Sequence, residues 1–193
     1  MKPVLIACER SQAVCSAFRS LGIEAYSCDI LPAYGGHPEW HITGDAIDVA
    51  YTGSWSLMIA HPPCTYLSNA GNRWLFLPDG SVNQDRFSLM AAGREFFLKL
   101  LDAPIPHICL ENPKPSALAN LPVASQHIEP YYFGDPFSKY TLLWLRGLPG
   151  LMSTCICPEY HSWTHVHSSP RLRSQTFPGI AAAMANQWRS FCF

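Results

Sequence analysis

A recurring figure limits how this chain can fold: a short apolar run that stops abruptly at polar or acidic residues. Pro3 to Cys8 reads PVLIAC and runs into Glu9. The run from Ile23 ends on Asp29, the run from Ser56 (SLMIA) ends at HPPC, and His107 to Leu110 leads straight into Glu111, Asn112 and Pro113. Such runs are too short for buried helices and lack the in-out alternation of a half-exposed strand, so they read as strands covered on both faces. Between them, AVCSAFRSLG has helical spacing and stops at Gly22, and Asn83 to Leu101 reads as a long helix with Phe87, Met90, Phe97 and Leu101 on its apolar side. Strands alternating with helices predict an α/β architecture of the Rossmann-like kind, with a mostly parallel central sheet and helices on both faces. Ligands of such sheets bind beyond the carboxyl ends of the strands. Asp29, Cys64 and Glu111 fall at that edge, as does Asp45, which follows the short apolar stretch in HITGDAID.

Composition narrows the function classes. A length of 193 residues suits one domain, residues 1–193, and 48% apolar against 14% charged residues predicts a folded globule. A net charge of −1 with only 13 basic residues excludes a protein that holds nucleic acid mainly through a broad basic face. Arg171, Arg173 and Arg189 form either a local basic groove or a solvated surface. Eight scattered cysteines and no secretory h-region point to a reducing cytoplasm, and no apolar run approaches the roughly 20 residues of a membrane span. Aromatic and β-branched residues from Gln126 to Leu148 suggest a hairpin or irregular strand pair, and GIAAAMANQW reads as a final helix.

Two residues carry the chemistry. Cys64 follows two prolines in AHPPCTYLSNAG, so its backbone is stiff and its sulfur aimed, as a nucleophile requires. Glu111 in LENPKP sits at a strand end, where a carboxylate is held beside a ligand rather than dispersed in solvent. His61 would help to favour the thiolate, or would simply pack in its loop. Cys8, Cys15, Cys28, Cys109 and Cys192 lie in apolar runs and read as structural thiols. Near the C-terminus, Cys155, Cys157, His161, His165 and His167 offer zinc-compatible ligands, against the plainer reading of a polar loop.

The Pro-Pro-Cys and Glu-Asn-Pro triplets, in that order, resemble the catalytic motifs of cytosine carbon-5 methyltransferases. Together with ACERSQAVCSAF, EAYSCDILP, HITGDA, PYYFGDPFSKYTLLWLRGLP and RSQTFPGIAAAMANQW, they resemble a compact phage and prophage branch of DNA cytosine methylases. The resemblance implies an S-adenosylmethionine-dependent enzyme of the bacterial host cytoplasm, acting on cytosine, with DNA as the implied substrate. It implies that Cys64 adds to the pyrimidine while Glu111 assists at the ring nitrogen. Glu9, Ser11, Asp29, Ile30, Asp45, Ala46, Pro62, Thr176 and Gly179 would form the methyl-donor site, and Pro63, Asn112 and Lys139 would contact the base.

Three departures matter. The first loop has Cys-Glu-Arg-Ser-Gln where larger relatives place glycines, so Glu9 would either meet the donor's ammonium group or cap the following helix. Lys139 stands where relatives carry an arginine, with Phe137 and Thr141 replacing other base-holding residues. Residues 147–173 form a short irregular insert in place of a target-recognition region, leaving three expectations for the substrate side: DNA, a free pyrimidine nucleotide or RNA, or recognition supplied by a second copy or a partner subunit. A catalytically idle decoy is the reading from outside enzymology.

Overall fold

A computed structural model describes residues 2 to 163 and 169 to 193. The apolar runs become strands where the sequence predicts them. β1 (Val4–Ala7), β2 (Ala25–Asp29), β3 (His41–Thr43), β4 (Leu57–Ala60) and β5 (His107–Pro113) run parallel. β6 (Gln126–Ile128) and, after a two-residue strand β7 (Phe137–Ser138), β8 (Thr141–Arg146) complete a sheet of order β3-β2-β1-β4-β5-β8-β6. β8 is antiparallel to both its neighbours. β7 pairs instead with β9 (His161–Ser162), which fastens part of the 147–173 insert to the loop before β8.

All residues of β1 and β4 are inaccessible, as central strands covered on both faces require. α1 (Ala13–Ser20) packs with the C-terminal helix α4 (Pro178–Trp188) over one face, where Val4, Ile6, Phe18, Met184 and Trp188 form one core. α2 (Ala46–Thr52) and α3 (Gln84–Leu101) cover the other face, with Leu5, Met58, Phe97, Leu100 and Trp144. Alternate residues of one strand therefore feed opposite cores, the period-two geometry that makes register strict. A fully buried aromatic such as Trp188 contributes about 3–5 kcal/mol against truncation to alanine.

Two expectations need correction. The strand predicted to stop at Leu110 continues through Pro113, because β8 lies alongside and pairs Glu111 with Leu143 and Pro113 with Thr141. Phe87, assigned to the apolar side of α3, is 47% exposed, whereas Met90 and Phe97 are buried as expected. Among the described residues, no helix is long and apolar enough to cross a membrane.

The chain leaves β1 toward β2 on one side and reaches β4 on the other, so the topological switch point lies between β1 and β4. A crevice opens beyond the carboxyl ends of strands at such a point.

Candidate active site

The loops leaving β1 and β4 carry Glu9 and His61, and the C-terminal end of the neighbouring strand β5 carries Glu111. Glu9 is 3% exposed, and its carboxylate accepts the backbone N–H groups of Val14 at 2.7 Å and Cys15 at 3.2 Å. It thus caps α1 from outside the helix, and Ser11 Oγ adds a hydrogen bond at 3.3 Å. The loop needs no glycine because Cys8 (φ 58°) and Gln12 (φ 60°) take the left-handed conformation themselves. Gln12 is held there by hydrogen bonds from its amide nitrogen to the His37 carbonyl at 2.7 Å and to its amide oxygen from the His37 N–H at 3.0 Å. Gly35 lies so close that an added Cβ would stand 2.2 Å from the Ser11 carbonyl oxygen.

His61 Nδ1 lies 3.2 Å from Glu111 Oε2. The imidazole's other nitrogen, Nε2, is buried without a hydrogen-bond partner among the described residues, and so is Asn112 Oδ1. Such atoms mark a place where a ligand or solvent completes the structure. Burial acts to raise the pKa of Glu111, but the hydrogen bond to His61, the charge of Lys139 and that of His61 outweigh it, leaving this carboxyl below the ordinary carboxylate range. Glu9 goes the other way, raised by burial that the charge of His61 and its backbone hydrogen bonds only partly offset.

Cys64 is half-buried in a loop bound tightly to the segment that bears Glu111. Asn112 Nδ2 donates to the Pro62 carbonyl at 2.7 Å, Ser116 N–H to the Leu67 carbonyl at 2.7 Å, and Asn69 N–H to the Lys114 carbonyl at 3.2 Å. The Cys64 carbonyl itself accepts from Leu67 at 3.1 Å and Ser68 at 3.0 Å, closing a tight turn after the two prolines. Elsewhere, burial pushes the thiols of Cys15 up to about 12 and of Cys28 and Cys192 up to about 11, and those of Cys8 and Cys109 rise as well, so these five stay protonated at neutral pH.

A cavity of about 470 Å³ opens at the switch point, lined among others by Cys8, Glu9, Ser11, Asp29, His61 and Thr176. Asp29 ends β2 and accepts the Leu31 N–H at 2.9 Å. A smaller recess beside it is lined by Glu111, Lys139, Thr141 and Thr176, with Lys139 Nζ 5.9 Å from the Phe177 ring centroid. Thr176 therefore borders both spaces.

Other expected site residues have different surroundings. Asp45 caps α2 by accepting the Ile47 N–H at 2.7 Å, Ala46 is buried in the core, Ile30 is 71% exposed and Pro63 is exposed. Gly179 starts α4, where its N–H meets Asp135 Oδ2 at 2.9 Å and a Cβ would stand 2.0 Å from the Phe133 carbonyl oxygen. Cys155 pairs by a bridge with Phe133, and Cys157 N–H donates to the Tyr131 carbonyl at 2.8 Å. No group of three metal-ligating side chains gathers among the described residues, and His165 and His167 lie outside them. Arg10, Tyr34 and Arg171 also line the main cavity; Arg10 belongs to the first loop and Arg171 to the basic cluster, whereas Tyr34 carried no signal in the sequence.

No family model and no curated protein matches the sequence. Among solved structures, the fold is similar to a protein from an Escherichia coli prophage described as a DNA modification methyltransferase. The TM-score is 0.50 at 12% identity, over 83% of this chain and 53% of the other. Dnmt2 methyltransferase of Schizosaccharomyces pombe gives 0.42 at 15% identity, covering 77% and 51%. A DNMT2 mutant of Spodoptera frugiperda gives 0.40 at 13%, covering 84% and 55%. The chain spans about half the length of each of these structures. The first likeness is one of fold: a mixed α/β sheet, mostly parallel, of the kind that DNA methyltransferases use.

Proposed function

We propose that this chain is an S-adenosylmethionine-dependent methyltransferase acting on carbon 5 of cytosine, with Cys64 as nucleophile and Glu111 as its partner at the pyrimidine ring. The observation that carries the reading is the stitching of the Pro-Pro-Cys loop onto the Glu111 segment, on neighbouring strands, beside a cavity at the switch point.

The cavity suits the methyl donor. Its volume falls in the range of small-ligand sites, Asp29 stands where a carboxylate meets ribose hydroxyls in dinucleotide-binding sheets, and His61 is part of its lining. Ser11 and Thr176, which line the cavity, would border the donor. When bound there, S-adenosylmethionine supplies an electrophilic methyl group.

Everything else falls to side chains. A pyrimidine carbon 5 is a poor nucleophile until the ring is activated, and addition of the Cys64 thiolate to carbon 6 supplies that activation. The added negative charge is relieved at ring nitrogen 3, where a proton or hydrogen bond is needed. Glu111, hydrogen-bonded to His61, would take up a proton from solvent as the substrate binds, give it to ring nitrogen 3, and take it back when the adduct collapses. A base then takes the carbon-5 proton, and elimination across the 5,6 bond releases Cys64 as the thiolate. Lys139, bordering the same recess, would steady the ring carbonyl or a phosphate and keep Glu111 ionised between turnovers.

DNA is the leading substrate. The low basic content favours a substrate in which the base is already accessible, since extruding a base from a duplex costs a few kcal/mol and needs extra protein surface. The test is transfer of labelled methyl from S-adenosylmethionine to cytosine in duplex DNA, single-stranded DNA, RNA and free nucleotide. Wild type should label at least one of these, and Cys64→Ser should fall to background. Equal labelling by both proteins would remove Cys64 from the mechanism.

A further inference from the structure

The main cavity has an electrical polarity that the roles given to Asp29, Ser11 and Thr176 leave unused. Its lining includes the acids Glu9 and Asp29 and also two guanidinium groups that stand on one aromatic ring. Arg171 Cζ lies 3.9 Å from the Tyr34 ring centroid and Arg10 Cζ lies 5.4 Å from it. The three residues come from three separate parts of the chain: the loop after β1, the loop between β2 and β3, and the segment before α4. Tyr34 N–H donates to the Arg10 carbonyl at 2.9 Å, and Arg10 Nε to the Pro32 carbonyl at 2.9 Å. These bonds hold the Tyr34 backbone and one guanidinium, while Arg171 is exposed and lies against the ring. Stacking on an aromatic face orients a guanidinium and leaves its N–H edge free to receive a planar anion.

The first helix explains why such a device is needed. In nucleotide-binding sheets an anionic ligand group usually lies at the N-terminus of the helix after β1, against its open N–H groups. Here Glu9 has taken that place: Val14 and Cys15 N–H groups already bind its carboxylate, which is buried under the loop. A second carboxylate arriving there would find its donors occupied and a carboxyl group in front of it. It would be accepted only toward the cavity mouth, where Arg10 and Arg171 face it. A cationic group on the same ligand is suited to the acidic side of the cavity, beside Asp29.

We propose that Arg10 and Arg171, braced on Tyr34, bind the carboxylate of the amino-acid tail of the methyl donor, in place of the helix N-terminus that Glu9 has closed. The proposal rests on the reading of this cavity as the donor site. It also accounts for the 170–176 segment, in which Arg171 brings charge to the mouth while Ser174 and Thr176 line the cavity behind it.

Two ligands that differ only in the carboxylate test it: S-adenosylhomocysteine and its decarboxylated analogue, titrated calorimetrically into the full chain. Wild type should prefer the carboxylate form by about tenfold or more, the size of a charge-assisted contact. Arg171→Gln should weaken S-adenosylhomocysteine to about the level of the analogue and leave the analogue unchanged. Arg171→Lys should keep part of the preference, and added salt should erode it in wild type. Equal weakening of both ligands in Arg171→Gln would make Arg171 a mere closure of the cavity and overturn the proposal, as would no weakening of either. Failure of both ligands to bind wild type is a different result: it would remove the donor reading, and this proposal with it.

Discussion

Glu9 and Glu111 are the same side chain at the ends of two strands that flank β4, and His61 acts on both, yet the fold uses them in opposite ways. Glu9 is given over to structure. Both its oxygens are bound by backbone N–H groups, burial raises its pKa, and in exchange a glycine-free loop closes onto α1. Glu111 is bound to an imidazole instead of the backbone, lies below the ordinary carboxylate range, and borders a small recess with Lys139. Paired carboxyls whose surroundings drive their pKa values apart are how one site separates a structural or acidic role from an ionised one. Strand-end position alone therefore does not define a functional acid. What matters is whether the carboxylate is satisfied by its own chain.

Substitution can dissolve this contrast. Glu111→Gln should lower turnover by about 10²- to 10⁴-fold, the range for a lost general acid or base, while donor affinity stays as in wild type. Rapid-quench kinetics with a parallel binding titration would check this, and equal loss of turnover and affinity would mean that Glu111 supports the donor cavity instead. A smaller effect separates the two acids by pH. Because the folded pKa of Glu111 is lowered, its stabilising contribution relative to Gln is full above the unfolded carboxylate value and disappears as pH falls through the folded one. Glu9, with its folded pKa raised, runs the other way: its contribution relative to Gln is full below the unfolded value and is lost as pH rises through the folded one. Urea midpoints of wild type, Glu9→Gln and Glu111→Gln across acid and neutral pH should therefore diverge in opposite directions. Parallel curves would show that the two carboxyls are not differently held.

Much of this arrangement was legible in the sequence because strand ends announce themselves. PVLIAC, SLMIA and HICL became β1, β4 and β5, and the residues just beyond them line the cavity or the recess. What remained hidden depends on long-range partners. The extension of β5 through Glu111 needs β8, which follows much later in the chain, and the His61 contact with Glu111 spans 50 residues. The left-handed turns at Cys8 and Gln12 carry no glycine signal, since they are stabilised by packing and by the His37 backbone rather than by intrinsic preference. Asp45 and Gly179, expected at the donor, were read from motif likeness; locally the first caps α2 and the second gives room to the Phe133 carbonyl.

The decisive experiment is the intact mass of the chain after incubation with S-adenosylmethionine and an oligonucleotide or nucleotide carrying 5-fluorocytosine, whose ring fluorine blocks the final elimination. A stable covalent adduct should form, map to the peptide containing Cys64, be absent from Cys64→Ser, and appear on the substrate class that the enzyme uses. A protein that binds the donor but forms no adduct with any of these substrates, or one whose adduct maps to another cysteine, would contradict the assignment of Cys64 as the nucleophile.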